Sequence, residues 1–277
     1  MNRKFEYSNS KESIQKYESA LKEYFNAKYC LAVSSGTAAI TVALHACSIG
    51  SGDKVALSPV APLCTAFPII YSGAEINFFD IQTESLALDY NLIENNVVDA
   101  IIEVPMWGYP IDAIQSREFA TKREIPLIFD LAHCAGTTFN DKPISNYCDI
   151  ACFSTQKNKM FSTGEGGFLL TDNEELYHRA KLFSTMGELD GVNFGVNFKL
   201  SPFLAEIGIA NLKQLNNSIQ RRIINRNFII SNINNNNIVE HANTINGQPS
   251  YQRLLFRTKN FKPGLSEWLD KHETTNG

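Results

Sequence analysis

The chain has 277 residues, with 25 basic and 29 acidic side chains and a formal net charge of −4. At 44% apolar and 19% charged residues its composition is that of an ordinary globular protein, long enough for one large domain or one domain and part of another. No basic block marks a nucleic-acid surface, no run approaches the roughly 20 apolar residues of a membrane span, and the start, Met1-Asn2-Arg3-Lys4-Phe5-Glu6, lacks a signal peptide's apolar core, so a cytoplasmic protein is expected.

Ile14, Tyr17, Leu21, Tyr24 and Phe25 recur at helical spacing over 10–27, with Ser10 as a cap. A short strand over 29–33 follows, then the small polar turn Ser34-Ser35-Gly36-Thr37 and a helix from Ala38 to Cys47. Strand, small turn, helix is an arrangement that binds phosphate, because the first N–H groups of the helix are unpaired and its dipole favours an anion; many such junctions bind nothing. The alternation continues with strands at 54–57, 75–79, 100–104 and 126–130 and helices at 64–71, 92–95 and 111–122. Such alternation predicts an α/β sheet, mostly parallel and covered on both faces, with its ligand site at the carboxyl ends of the strands.

Asp130 ends one of these strands, in Asp130-Leu131-Ala132-His133. A buried carboxylate there needs a cationic or donor partner, for which a protonated pyridine nitrogen would serve; capping the next turn is the plainer reading. His133 faces the same cleft or is a packed core histidine.

The stretch 149–171 reads strand, polar turn with Lys157 and Lys159, glycine turn, strand. A strand end that presents Ser154 and then a lysine can hold a phosphate and a reactive amine together. A lysine close to Met160 and Phe161 loses its proton more easily, as an amine nucleophile requires. The alternative is a surface hairpin with two solvated lysines.

Further on, a helix is expected over 173–186, a loop over 187–194, and a long helical region from Pro202 to about Ile230, capped by Ser201. An Asn-rich linker follows at 232–237, then a strand over 250–257 and a helix over 264–271. The six cysteines sit mostly in apolar runs; Cys148 and Cys152 have no second pair or nearby histidine, so neither a zinc site nor a disulfide framework is expected.

Taken together, Ser34 to Ala39, Ser72-Gly73-Ala74 with Phe79-Asp80, Asp130 to His133, Phe153-Ser154 with Lys159, Thr163 to Gly167, and Gly195 to Ser201 occur in an order and at separations that resemble the DegT/DnrJ/StrS-type sugar aminotransferases. The resemblance covers roughly 10–230 and implies the fold type I large domain of pyridoxal-phosphate (PLP) enzymes over 1–235, with a mostly parallel central sheet flanked by helices. Residues 236–277 would be the start of a small C-terminal α/β domain, so that the chain looks C-terminally truncated.

The resemblance also implies roles. Lys159, five residues after Ser154, falls on the lysine that carries pyridoxal 5'-phosphate, and Lys157 on a non-catalytic position. Asp130 matches the partner of the pyridinium nitrogen and His133 the position beside the phenolic oxygen. Gly36, Thr37, Ala38 and Ser154 match phosphate-binding positions. Asn197 matches an Asn that reaches the phosphate of the partner subunit, which implies a homodimer with composite sites. The implied reaction moves an amino group, with glutamate as donor, to a keto group of a nucleotide-linked sugar in surface-polysaccharide or amino-sugar biosynthesis. A PLP-dependent sugar dehydratase is one alternative, against which Lys159 speaks, because dehydratases of the family carry histidine there. A non-catalytic PLP-binding or regulatory protein is another. It draws on two departures: Pro59 to Thr65 is one residue short and lacks the family's ring-stacking aromatic, and the apolar residues of 250–271 have no evident partner surface.

Overall fold

The structure, a computed structural model, describes residues 10–258 except 242, 243 and 245, so the helix expected over 264–271 lies outside the described residues. Seven strands form the central sheet in the order β1-β9-β8-β5-β4-β2-β3. They are β1 Tyr29–Val33, β2 Lys54–Leu57, β3 Glu75–Phe78, β4 Ala100–Glu103, β5 Leu127–Asp130, β8 Ile150–Ser154 and β9 Gly167–Thr171. The run β3-β2-β4-β5-β8 is parallel throughout, while β9 pairs antiparallel with both β8 and β1. The mostly parallel α/β sheet expected from the alternation is therefore present.

β4, β5 and β9 are buried along their whole length, because helices cover both faces. Alternation assigns the faces. Leu127, Phe129, Ala151 and Phe153 join Tyr17, Leu21 and Phe25 of α1 (Ser10–Phe25) and Phe119 of α5 (Ala113–Lys122) in one core. Ile128, Ile150 and Cys152 join the other, with Ile40, Val42 and Leu44 of α2 (Gly36–Ala46), Ile69 of α3 (Leu63–Ser72) and Phe183 of α6 (Glu174–Ser184).

Helix α4 is one short turn, Tyr90–Ile93. The long helical region resolves into two helices, α7 Pro202–Leu212 and α8 Leu215–Asn232, with the break at Lys213-Gln214. Its apolar spacing carries on across the break, which is why it reads as one element in the sequence.

One buried carboxylate belongs to the fold. Glu103, 1% exposed, accepts a 2.6 Å bond from the Tyr90 hydroxyl and a 3.3 Å bond from the Leu88 N–H. Burial outweighs these donors and pushes its pKa up to about 7. A carboxyl raised on folding stabilises the protonated fold, so its contribution is complete below the unfolded value near 4.5 and is lost as pH rises through about 7. Urea unfolding of Glu103→Gln is expected to show a smaller loss of stability between pH 5 and 8 than the parent chain; equal slopes would remove this role.

Residues 246–258 are seated on the rest of the chain. β11 (Gly247–Gln248) pairs with β6 (Thr138–Phe139), whose other neighbour is β7 (Lys142–Pro143), and β12 (Phe256–Thr258) pairs with β10 (Ile238–Glu240). Between them, the Ser250 N–H donates to the Gly108 carbonyl at 3.0 Å and the Arg253 N–H to the Trp107 carbonyl at 3.0 Å. Arg222 of α8 donates to the Tyr251 and Gln252 carbonyls, both at 3.0 Å. The strand expected over 250–257 is thus confined to its last residues. The partner surface missing from the sequence reading is the 105–110 loop together with α8.

Candidate active site

Three strand ends meet at one edge of the sheet. β1 and β8 run the same way on either side of β9, and Gly167 faces both Val33 and Ser154. β5 lies on the other side of β8, with Asp130 opposite Cys152. This topology gathers the turn after β1, Asp130 and the turn after β8, far apart in sequence.

At the β1–α2 turn, Ser35 is the N-cap, and its hydroxyl accepts the Ala38 N–H at 3.0 Å. Ala38 is buried and its amide is taken, so the open donors at this helix start are the Gly36 and Thr37 amides and the exposed Thr37 hydroxyl. A Cβ on Gly36 would lie 2.7 Å from the Ser154 Cβ. The two turns approach so closely that only glycine fits, and Ser154 stands beside the helix N-terminus. Gly36→Ala is expected to lower stability by about 1–3 kcal/mol, through overpacking, and to loosen cofactor retention with it. Thermal unfolding with and without added cofactor measures both; an unchanged chain would mean that the approach is not tight.

Asp130 is 4% exposed. Its Oδ2 accepts the Thr65 hydroxyl at 2.6 Å and its Oδ1 the Ala132 N–H at 3.0 Å. Burial raises its pKa, and these two donors together with the Lys159 charge hold it back. Thr65 was not singled out in the sequence. It is a fully buried hydroxyl in the otherwise apolar α3, and that mismatch is the signal that could have marked it.

The loop after β8 folds back on itself. The Thr155 and Thr163 hydroxyls bond at 2.7 Å, and the Thr163 N–H donates to the Thr155 carbonyl at 2.8 Å. This turn leaves Lys157 exposed and half-buries Lys159. Burial lowers the Lys159 pKa, opposed chiefly by the Asp130 charge, so the amine is closer to its neutral, nucleophilic form than a surface lysine. His133 accepts the Trp107 N–H through Nδ1 at 3.4 Å, which leaves Nε2 as the donor of a neutral ring. Burial, with the charges of Lys159 and Arg253, pushes its pKa down to about 4, so the ring is neutral at physiological pH.

The stretch 59–65 that leads into α3 carries no aromatic side chain, and the nearest aromatic on that helix, Phe67, is exposed. Cys64 and Thr65 occupy the start of that helix, with Cys64 exposed and within electrostatic reach of Asp130 and Lys159. Trp107, in a left-handed conformation (φ 57°), packs its ring against the core. Asn197 is exposed on a segment that runs beside β1, where the Ser34 N–H donates to the Phe198 carbonyl at 2.8 Å. Its own Oδ1 accepts the Lys199 N–H at 3.4 Å, and among the described residues it bonds to none of the other expected site residues.

The family model described as the DegT/DnrJ/EryC1/StrS aminotransferase family matches residues 4–265. The chain is 32% identical over 217 residues to a GDP-perosamine synthase of Escherichia coli O157:H7, covering 76% of this chain and 60% of that protein. It is 29% identical over 222 residues to a UDP-4-amino-4,6-dideoxy-N-acetyl-beta-L-altrosamine transaminase of Campylobacter jejuni, covering 76% and 58%. The chain thus spans about three-fifths of the length of the relatives it matches. In fold it is similar to Spr1654 from Streptococcus pneumoniae in its PLP-form, with a TM-score of 0.87 at 22% identity, covering 94% of this chain and 75% of that one.

Proposed function

The chain belongs to the DegT/DnrJ/EryC1/StrS aminotransferase family, and from that premise we propose that it is a pyridoxal-5'-phosphate-dependent aminotransferase acting on a nucleotide-linked keto sugar. The donor in this reading is glutamate, and the product an amino sugar for surface-polysaccharide or amino-sugar biosynthesis. The observation that carries it is the pairing of a buried, donor-held Asp130 with a half-buried Lys159 whose amine is shifted toward neutrality. Asp130 also caps the turn that follows β5 through the Ala132 N–H, but its second oxygen, its burial and the half-buried lysine beside it are not needed for a cap or a surface hairpin.

The residues present fit the cofactor. The close approach at Gly36 shapes a cradle that a Cβ would fill, with the Gly36 and Thr37 amides, the Thr37 hydroxyl and Ser154 as donors to a phosphate. When bound, the cofactor supplies an aldehyde that takes up and passes on an amino group and a ring that draws electrons from the reacting carbon. Asp130 holds the proton on the ring nitrogen, and Thr65 and Ala132 hold Asp130 in place. Neutral His133, with Nδ1 occupied by the Trp107 N–H, would have Nε2–H to donate to the phenolic oxygen. Lys159 would hold the cofactor, and its freed amine would serve as the base that moves the proton at the reacting carbon.

A homodimer completes this reading. The exposed Leu63, Phe67, Ile70 and Tyr71 on α3, with Phe194, form an apolar surface that a second copy would cover, and Asn197 is exposed to reach across it. A cytoplasmic location agrees with six unpaired thiols. The test is to load the purified chain with pyridoxal phosphate and supply glutamate with GDP- and UDP-linked keto sugars. Amino-sugar nucleotide in the product mixture is expected; a loaded protein that forms none, with any of these sugars, would defeat the assignment.

A further inference from the structure

Arg253 lies outside every motif that marked the site, yet the fold brings it there. Its N–H donates to the Trp107 carbonyl, while the Trp107 N–H donates to His133. Its neighbour Gln252 donates from Nε2 to the Asn158 carbonyl at 2.8 Å, one residue before Lys159. Gly108, at φ +91°, is packed so tightly under this segment that a Cβ there would lie 2.7 Å from the Gln252 nitrogen and from the Ser250 hydroxyl. The backbone of 250–253 is thus clamped across both loops that carry His133's partner and Lys159.

The guanidinium is left exposed, and among the described residues no carboxylate forms an ion pair with it, whereas Arg117, Arg226 and Arg257 each meet one. It lies close enough to Lys159 and His133 for its charge to favour the neutral form of each. A permanent, solvent-facing cation at the edge of the site, with no acidic partner among the described residues, is open to a negatively charged ligand. Its planar fork suits the two oxygens of a carboxylate or a phosphate.

Building on the transferase reading, we propose that Arg253 binds the oxyanion of a reactant beside Lys159, either a carboxylate of the amino-acid donor or the diphosphate of the nucleotide sugar. The segment that carries it therefore helps to select the reactant as well as to cover the site.

Calorimetric titration of the full chain, loaded with pyridoxal phosphate, tests this with 2-oxoglutarate in one arm and GDP or UDP in the other. Arg253→Ala is expected to weaken one of the two by tenfold or more, and Arg253→Lys to recover part of the loss. A loss for 2-oxoglutarate identifies the carboxylate, and a loss for the nucleotides the diphosphate. Because the backbone N–H, not the side chain, anchors the segment, both variants should unfold at the parent temperature; Arg253→Gln is the substitute if the alanine variant does not fold. Equal affinities in parent and variants, or a parent chain that binds neither anion, would overturn the proposal. The two readings fail separately. A parent that makes amino sugar while Arg253→Ala binds normally sinks only the Arg253 site. A parent that makes none, yet loses anion binding in the variant, sinks only the transferase.

Discussion

Lys159→Ala is expected to lose covalent attachment of the cofactor and to lower amino transfer by at least about 10²–10⁴-fold, the range for a positioned proton-transfer group. Burial separates the two lysines of the turn in the same sense as their spacing from Ser154. Lys157 is exposed, whereas Lys159 is half-buried with its pKa lowered by that burial. Asp130 acts on Lys159 in the opposite sense, favouring the charged amine. The two influences oppose each other, so that the amine is shifted toward its neutral form while the carboxylate still draws it toward the charged one. Borohydride reduction followed by peptide mapping should place the pyridoxyl label on Lys159 in the parent chain. Lys157→Ala should keep both the label and the activity. A label on Lys157, or a Lys159→Ala variant that still turns over at the parent rate, would reverse the assignment.

Asp130→Asn should retain cofactor but lose about 10²–10³-fold in turnover, the usual loss when one charge-stabilising group is removed from a dry site. The amide oxygen of Asn can still accept from Thr65 and Ala132, so the local geometry survives. What it lacks is the negative charge that keeps a proton on the ring nitrogen. Thr65→Val makes a useful comparison. It removes the 2.6 Å donor and leaves Asp130 in its buried place with one bond fewer, so the carboxyl pKa should rise further and activity should fall less than in Asp130→Asn. Absorbance of the bound cofactor against pH reads the ring protonation directly. A cofactor spectrum and rate in Asp130→Asn that match the parent would show that the ring nitrogen has another partner.

Much of this was legible in the chain itself. Alternating strand and helix signals predicted a covered, mostly parallel sheet, because a strand buried on both faces reads as a continuous apolar run and its crossovers read as helices. The glycine at 36, the strand-ending Asp130 and the Ser154–Lys159 spacing pointed to one edge of that sheet, since backbone turns and strand ends leave local marks. Other features depend on contacts between distant segments, which no local mark identifies. The Thr65–Asp130 bond joins residues 65 positions apart, and the lone hydroxyl among apolar neighbours at Thr65 marks a polar partner without saying which residue it is. The occupation of the Ala38 amide follows from the rotamer of Ser35, and the unequal burial of Lys157 and Lys159 from the fold-back of Thr155 on Thr163. The seat of residues 250–253 is decided in the same way. Read in sequence they open a strand over 250–257 whose apolar residues lack an evident partner, but the 105–110 loop and Arg222 supply the hydrogen bonds that a strand would otherwise need. Backbone polar groups must be satisfied somewhere, and only the tertiary structure shows that here they are satisfied by the loop that holds Trp107, while Gln252 reaches the turn that holds Lys159.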